Sequence, residues 1–471
     1  MKRKHTANSA RRNLALVVAI VLALAILATA VRWLNVTPPV IMPEGREEIA
    51  ANRRSPDNGY PLLQEAARLY PPAPPRVNIP IPDRPELKIP YQPEPDAWFA
   101  LLDVPRPIGD PEFTTYLHAA DPVIAKAREA LNKPFCLQPE PDTLFDQRFD
   151  EGVYRLPVLL VARGYTLAKF ENAPGEAVAY FVDGLRLTRV LTENCSTLRF
   201  YFRGSPRETI GSIIRELARE VLAETDIEAF QRALDTLGPP FADRKIVIEN
   251  SWRIQDESLL QPVPNYMRRF PENLLARHIL WRMARASREV IENKAEYYGI
   301  AEKCTCDVLR WLSKEQRDLM RNPWEGWLVP RCRSAFMIAR ACGQQADYEA
   351  TRLALALERF HKAKGAYPEK LDELVPAFIR ELPQDPISCL PFGYHKEGEL
   401  YVLYSAGTDA RDNGGATPDF SHGRGFDFTM MTNVQEGTDQ IFVAPPGAKA
   451  PLGTSMDGGY GGGMRGRRRP R

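Results

Sequence analysis

Apolar residues follow three rhythms along this chain, and each rhythm predicts a different kind of element. From Leu14 to Val31 they are continuous, interrupted only by Thr29, and they follow the cations Lys2, Arg3, Lys4, Arg11 and Arg12. A helix of about 18 residues just spans a hydrocarbon core of roughly 30 Å, and a flanking basic cluster favours a cytoplasmic N-terminus. Residues 14–31 are therefore expected to form a transmembrane signal-anchor helix in the inner (cytoplasmic) membrane. Residues 1–13 would then be cytoplasmic and the body periplasmic or otherwise extracytoplasmic. Ala28-Thr29-Ala30 also offers small residues at cleavage spacing, so a cleaved signal peptide is the competing reading; both export the body.

Over residues 112–342 the apolar positions recur every three to four, the helical period. Tyr154, Val158, Leu159, Val161, Ala162, Tyr165 and Leu167 precede the break Asn172-Ala-Pro-Gly, and Ala177, Phe181, Leu185, Leu187 and Leu191 resume the pattern, which predicts a helical hairpin. Ser205-Pro206-Arg207-Glu208 combines a capping hydroxyl, a proline for the first turn and a capping-box carboxylate ahead of Ile210, Ile213, Ile214 and Leu217. Asp226 is expected to cap a further helix that runs to Gly238-Pro-Pro, and a basic helix should run from about Pro271 to Lys294. No clean repeat emerges, so the expectation is an irregular array of helical hairpins.

The third rhythm occupies Thr351 to Gly415. Leu353, Ala354, Leu357 and Phe360 make an amphipathic helix ending at Gly365, and Tyr367-Pro368 should start a short helix with Leu371, Leu374, Val375 and Phe378 on its inner face. Phe392-Gly-Tyr-His-Lys and Glu399-Leu-Tyr-Val-Leu-Tyr-Ser read as two strands turned at Glu397-Gly398. The stretches LALALERFHKAKGAYPEKLDELVPAFI, LPQDP, PFGYHKEGELYVLYSAGTDARDNGG and GTDQI together resemble the C-terminal domain of the type II secretion major pseudopilin, protein G. The resemblance covers about a fifth of the chain, here residues 343–444, and a helical body with this module at its C-terminus is similar to a group of secreted bacterial proteins of obscure function.

That resemblance implies a calcium site in the last loop, with oxygens from Asp409, Asp412 and Asp439 and from backbone carbonyls. The loop is not an EF-hand, since Arg411 and Phe420 stand at the third and twelfth positions counted from Asp409. A metal-free Asp/Asn/Gly turn is the alternative, because residues 416–436 intervene between the first and last of those aspartates. The chain also departs from a pseudopilin: no Gly-Phe-Thr-Leu-x-Glu processing site precedes Leu14, and the whole helical body separates the apolar run from the module. Filament assembly is therefore not expected.

Composition refines this plan locally. Ten prolines between Pro71 and Pro95 predict an extended Pro-rich region over 32–111, either a polyproline-like spacer or an arm lying on the helical body. Residues 445–471 are Gly-rich and end in Arg-Gly-Arg-Arg-Arg-Pro-Arg, a tail expected to be disordered. With 62 Lys+Arg against 60 Asp+Glu the net charge is +2, and neither this nor the expected compartment points to nucleic acid. The arginines at 268, 269, 277, 282, 285 and 288 read as a solvated helix face whose stems cover Leu280, Trp281 and Met283. Seven cysteines, Cys136, Cys195, Cys304, Cys306, Cys332, Cys342 and Cys389, give no disulfide framework, so buried thiols with one or two bridges are favoured over zinc at Cys304-Thr-Cys306.

None of the six histidines lies in a metalloprotease or nucleophile motif, and no phosphate-binding loop or dinucleotide fingerprint is present. Acid pairs such as Asp142 with Asp146, or Asp183 with Glu193, have hydrolase residue types but nothing that separates them from solvated carboxylates. The sequence reading is thus a mainly α protein: transmembrane helix, helical array, small α+β pseudopilin-like domain and Gly/Arg tail. It is expected to act as a membrane-anchored non-enzymatic scaffold for secretion or envelope proteins. The alternatives are an exported hydrolase on envelope or polysaccharide substrate and a divergent pseudopilin; the sequence leaves the oligomeric state open.

Overall fold

The computed structural model describes residues 40–42, 46–71, 77–81, 84–91, 111–138, 151–193, 206–240, 243–260, 272–319, 329–415 and 440–443. The expected transmembrane segment and the Gly/Arg tail lie outside these residues, and among the described residues no helix is long and apolar enough to cross a membrane. The chain is mainly helical with a small three-stranded antiparallel sheet near its C-terminal end.

Helices α1 (Arg46–Arg54) and α2 (Tyr60–Arg68) correct the reading of 32–111 as extended throughout. Proline in the first turn of α2 starts that helix, and Tyr60, Leu63 and Ala66 bury one face of it. Strands β1 (Val77–Ile81) and β2 (Arg84–Tyr91) then form a two-stranded antiparallel ribbon, so the proline-dense stretch is extended but paired with itself.

The body follows as α3 (Pro111–Ala119), α4 (Asp121–Leu131), α5 (Glu151–Lys169), α6 (Pro174–Glu193), α7 (Pro206–Glu220) and α8 (Glu224–Leu237). The hairpin of α5 and α6 turns where the sequence predicts it: Asn172 takes a φ of 55°, and Ala173 N donates back to Leu167 O at 2.9 Å. Helix α8 begins three residues earlier than expected, at Glu224 after the cap residue Ala223. Asp226 lies inside its first turn rather than at the cap, where its carboxylate accepts the Ala223 N–H at 3.2 Å. Leu63, Leu159, Phe181, Ile214 and Phe230 are among the residues of the core that α2 to α8 enclose.

A second core gathers α9 (Lys245–Leu260), α10 (Glu272–Glu292), α11 (Lys294–Ala301), α12 (Thr305–Trp311) and α13 (Lys314–Leu319) around Trp252, Tyr297 and Phe336. Ile41 and Met42 are buried in it, and both of their N–H groups bond the Asp256 carboxylate at 2.8 to 3.1 Å.

Helix α14 (Pro330–Lys364) joins everything. It starts on Pro330, stops at Gly365 with φ 79°, and its 35 residues extend about 52 Å. Phe336 and Ile338 belong to the second core, Tyr348 and Leu355 to the first, and Leu353 and Leu357 to a third core under the C-terminal module. The boundary expected between 342 and 343 therefore falls inside one continuous helix. Where α7 crosses it, Arg215 donates to Asp347 Oδ1 at 2.8 Å and to Thr351 Oγ1 at 2.7 Å, a buried pair that fixes the crossing. Gly211 permits the approach, since a Cβ there would run into the Asp347 carboxylate.

After α14 the chain makes a 3₁₀ turn at Leu371–Leu374, shorter than the expected helix. Leu374 is buried, but Val375 is exposed rather than inward, because the residue before Pro376 is disfavoured in a helical conformation. Strands β3 (Gly393–Glu397) and β4 (Leu400–Ser405) pair in register about Gly398, which takes a φ of 63°. A third strand, β5 (Gln440–Val443), pairs with the other edge of β4, so β4 is central and Tyr401 to Ser405 are all buried.

Candidate functional site

The polar chemistry of the C-terminal module collects where it meets the body. The loop between the 3₁₀ turn and β3 carries Asp385, which is fully buried. Its carboxylate accepts the N–H groups of Ile387 at 2.9 Å and Ser388 at 3.2 Å, the Ser388 hydroxyl, and the Ser405 hydroxyl of β4 at 2.5 Å. Burial pushes the Asp385 carboxyl above its ordinary range, and the four donors oppose that push. Two pieces of the sequence pattern, Leu-Pro-Gln-Asp-Pro and Tyr-Ser-x-Gly-x-Asp, thus meet at one carboxylate.

The same loop is fastened to the body. Cys389, held at φ 61°, forms a disulfide with Cys304 at the start of α12. Thr305 N donates to Pro386 O at 3.1 Å, and Cys306 N donates to Ile387 O at 3.0 Å. Among the described residues Cys136, Cys306, Cys332 and Cys342 are buried thiols outside any disulfide, in keeping with the expectation of buried thiols and few bridges; Cys195 lies outside them. Burial raises the Cys136 thiol to about 12 and the Cys332 thiol to about 11, which leaves both inert at neutral pH. Among the described residues Cys306, Asp307 and Cys389 form a group whose donor atoms lie close together. Cys389 is in the disulfide, so a thiol and one carboxylate remain, too few for zinc.

A second buried carboxylate, Glu358 of α14, accepts the hydroxyls of Tyr367 at 3.0 Å and Tyr401 at 3.3 Å. It ties the Gly-x-Tyr-Pro turn to β4. Burial raises the Glu358 carboxyl above its ordinary 4.5, with the tyrosine hydroxyls opposing. A carboxyl raised in the fold contributes stability below its unfolded value and loses it as pH rises through the folded one. Glu358→Gln keeps an acceptor for the tyrosines and removes the titration. Thermal melts between pH 4 and 7 are therefore expected to fall less steeply with rising pH in this variant, and an unchanged slope would remove Glu358 as the cause.

The expected calcium ligands are only partly brought together. Asp409 Oδ1 accepts Arg411 N at 3.1 Å, and Asp412 Oδ1 accepts both Tyr404 Oη and Gly414 N at 2.8 Å. The two backbone contacts are local Asx-type contacts that fold the turn leaving β4, and the Tyr404 hydroxyl ties that turn back to the strand. Asp439 lies outside the described residues. Its neighbour Gln440 pairs with Ser405, so the chain enters β5 beside the strand end from which that turn departs. Asp183 is ion-paired with Arg128 at 2.7 Å and with Arg186 at 3.5 Å; Asp142, Asp146 and the Glu193 side chain are outside the described residues. Of the six arginines read as a solvated face, Arg285 and Arg288 are exposed and Arg282 is half-buried; Arg268, Arg269 and the Arg277 side chain lie outside the described residues.

Comparison with protein-family models, with curated proteins and with solved structures returns no match for this chain.

Proposed function

We propose that the chain is a membrane-anchored extracytoplasmic scaffold, without catalytic activity, that presents a type II secretion protein G-like module to secretion or envelope proteins. The observation that carries this reading is the fixed seating of the module: α14 continues into it, the Cys304–Cys389 bridge closes it onto the body, and the 305–387 clasp orients it. A disulfide of this kind belongs in an oxidising compartment, in agreement with export. Ile41 and Met42 dock on the body only ten residues after Val31, which holds the body within about 35 Å of the membrane surface if residues 14–31 span it. Calcium enters the proposal as a ligand of the Asp409, Asp412 and Asp439 loop, not as a catalytic ion.

The test is the compartment. Reporter fusions after residue 445 should be active for an enzyme that folds only outside the cytoplasm and dark for one that folds only inside. The opposite pattern ends the proposal. The purified chain, melted with calcium and with chelator, checks the metal: a shift abolished by Asp412→Ala supports it, and identical melts remove calcium while leaving the scaffold.

A further inference from the structure

Helix α8, the C-terminal half of α14 and the segment after Val375 enclose an open cleft of about 260 Å³ between body and module. Four arginines line it, Arg232, Arg352, Arg359 and Arg380, against two carboxylates, Glu228 and Asp235. Arg352 is committed: its guanidinium pairs with Asp235 at 3.0 Å and with Glu349 at 2.8 Å. Arg359 has only the neutral Gln231 Oε1, at 2.7 Å, and lies over the Phe378 ring at 5.7 Å. Arg232 and Arg380 are exposed and have no carboxylate partner among the described residues. Among the described residues three guanidinium groups thus face this cleft without an ion pair, against the one unpaired carboxylate of Glu228, so the lining stays net positive.

We propose that this cleft binds an acidic peptide segment of a partner protein. Guanidinium groups match carboxylates in a planar, two-pronged fashion, and a site walled by protein on two sides screens them less than open surface does. The apolar part of the lining selects a peptide over a free anion: Phe378, Ile379, Ala377 and Pro376 all line the cleft, and exposed Val375 precedes them in the chain. Its volume lies just below the roughly 300 Å³ at which small-molecule sites begin, enough for a few side chains of a docking segment. This rests on the scaffold reading only in taking the partner to be an envelope or secretion component; the cleft itself is independent of compartment.

The test uses the full chain in neutral detergent and a fluorescent peptide of alternating Glu and Leu, read by anisotropy. Saturable binding is expected, weakening with added salt and by about tenfold or more in Arg232→Glu/Arg380→Glu, whose exposed positions should leave the melting curve unchanged. A peptide with Lys in place of Glu should not bind. No saturable binding, or equal binding by the double variant, overturns the proposal. So does displacement of the peptide by inorganic phosphate or short-chain phosphatidylglycerol at concentrations where free Glu-Leu peptide fails to compete. A body found in the cytoplasm would end the scaffold reading without touching this result.

Discussion

Asp385→Ala is expected to destabilise the protein by about 4 kcal/mol. The carboxylate serves two backbone N–H groups and two hydroxyls in a site without solvent access. Alanine leaves all four donors unsatisfied, and each buried orphan costs about 1–3 kcal/mol, with some relief by relaxation and by removal of the buried charge. Asp385→Asn should fall between the two, since one amide oxygen still accepts while the amide nitrogen faces donors. The loop from Asp385 to Leu390 should also become sensitive to protease in the alanine variant. Melting within one degree of the parent would mean that the loop is held by the disulfide alone.

The second large effect is that of the bridge. Cys304 and Cys389 are separated by 85 positions, and closing a loop of that length removes enough unfolded-chain entropy to stabilise by about 4.5 kcal/mol. Ser at both positions should lower the melting temperature by several degrees without changing the folded spectrum, because the 305–387 backbone clasp keeps the two loops together. Reductant should reproduce the shift in the parent and have none in the double variant. A parent indifferent to reductant would show that the two sulfurs are not bonded in the purified protein.

These two features show where sequence reading stops. The bend at Asn172, the end of α14 at Gly365 and the hairpin at Gly398 are legible because left-handed backbone demands Asn or Gly there. The burial of Asp385 and Glu358 is not: an acid in a polar stretch reads as solvated until β4 and Tyr367 arrive from elsewhere in the chain. The pairing of Cys304 with Cys389 is likewise invisible among seven cysteines. Helix α2 is obscured by the proline density that follows it, although Tyr60-Pro-Leu-Leu-Gln-Glu-Ala-Ala carries its own start signal. The N-terminal half of α14 is hard to assign for the opposite reason. From Cys332 to Gln344 every residue is buried, so no polar stripe marks a face and the segment looks like the end of one domain rather than the middle of a helix.

That helix also limits how the module can travel between proteins. A gene fusion or a recombinant fragment cut at residue 343 would sever α14 between the second and third cores and strand the half that braces Leu353 and Leu357. A portable fragment must thus begin at Pro330 at the latest, and even there the transplanted piece leaves Cys304 behind. The C-terminal module is an extension grown from its body, not a cassette hung on a linker.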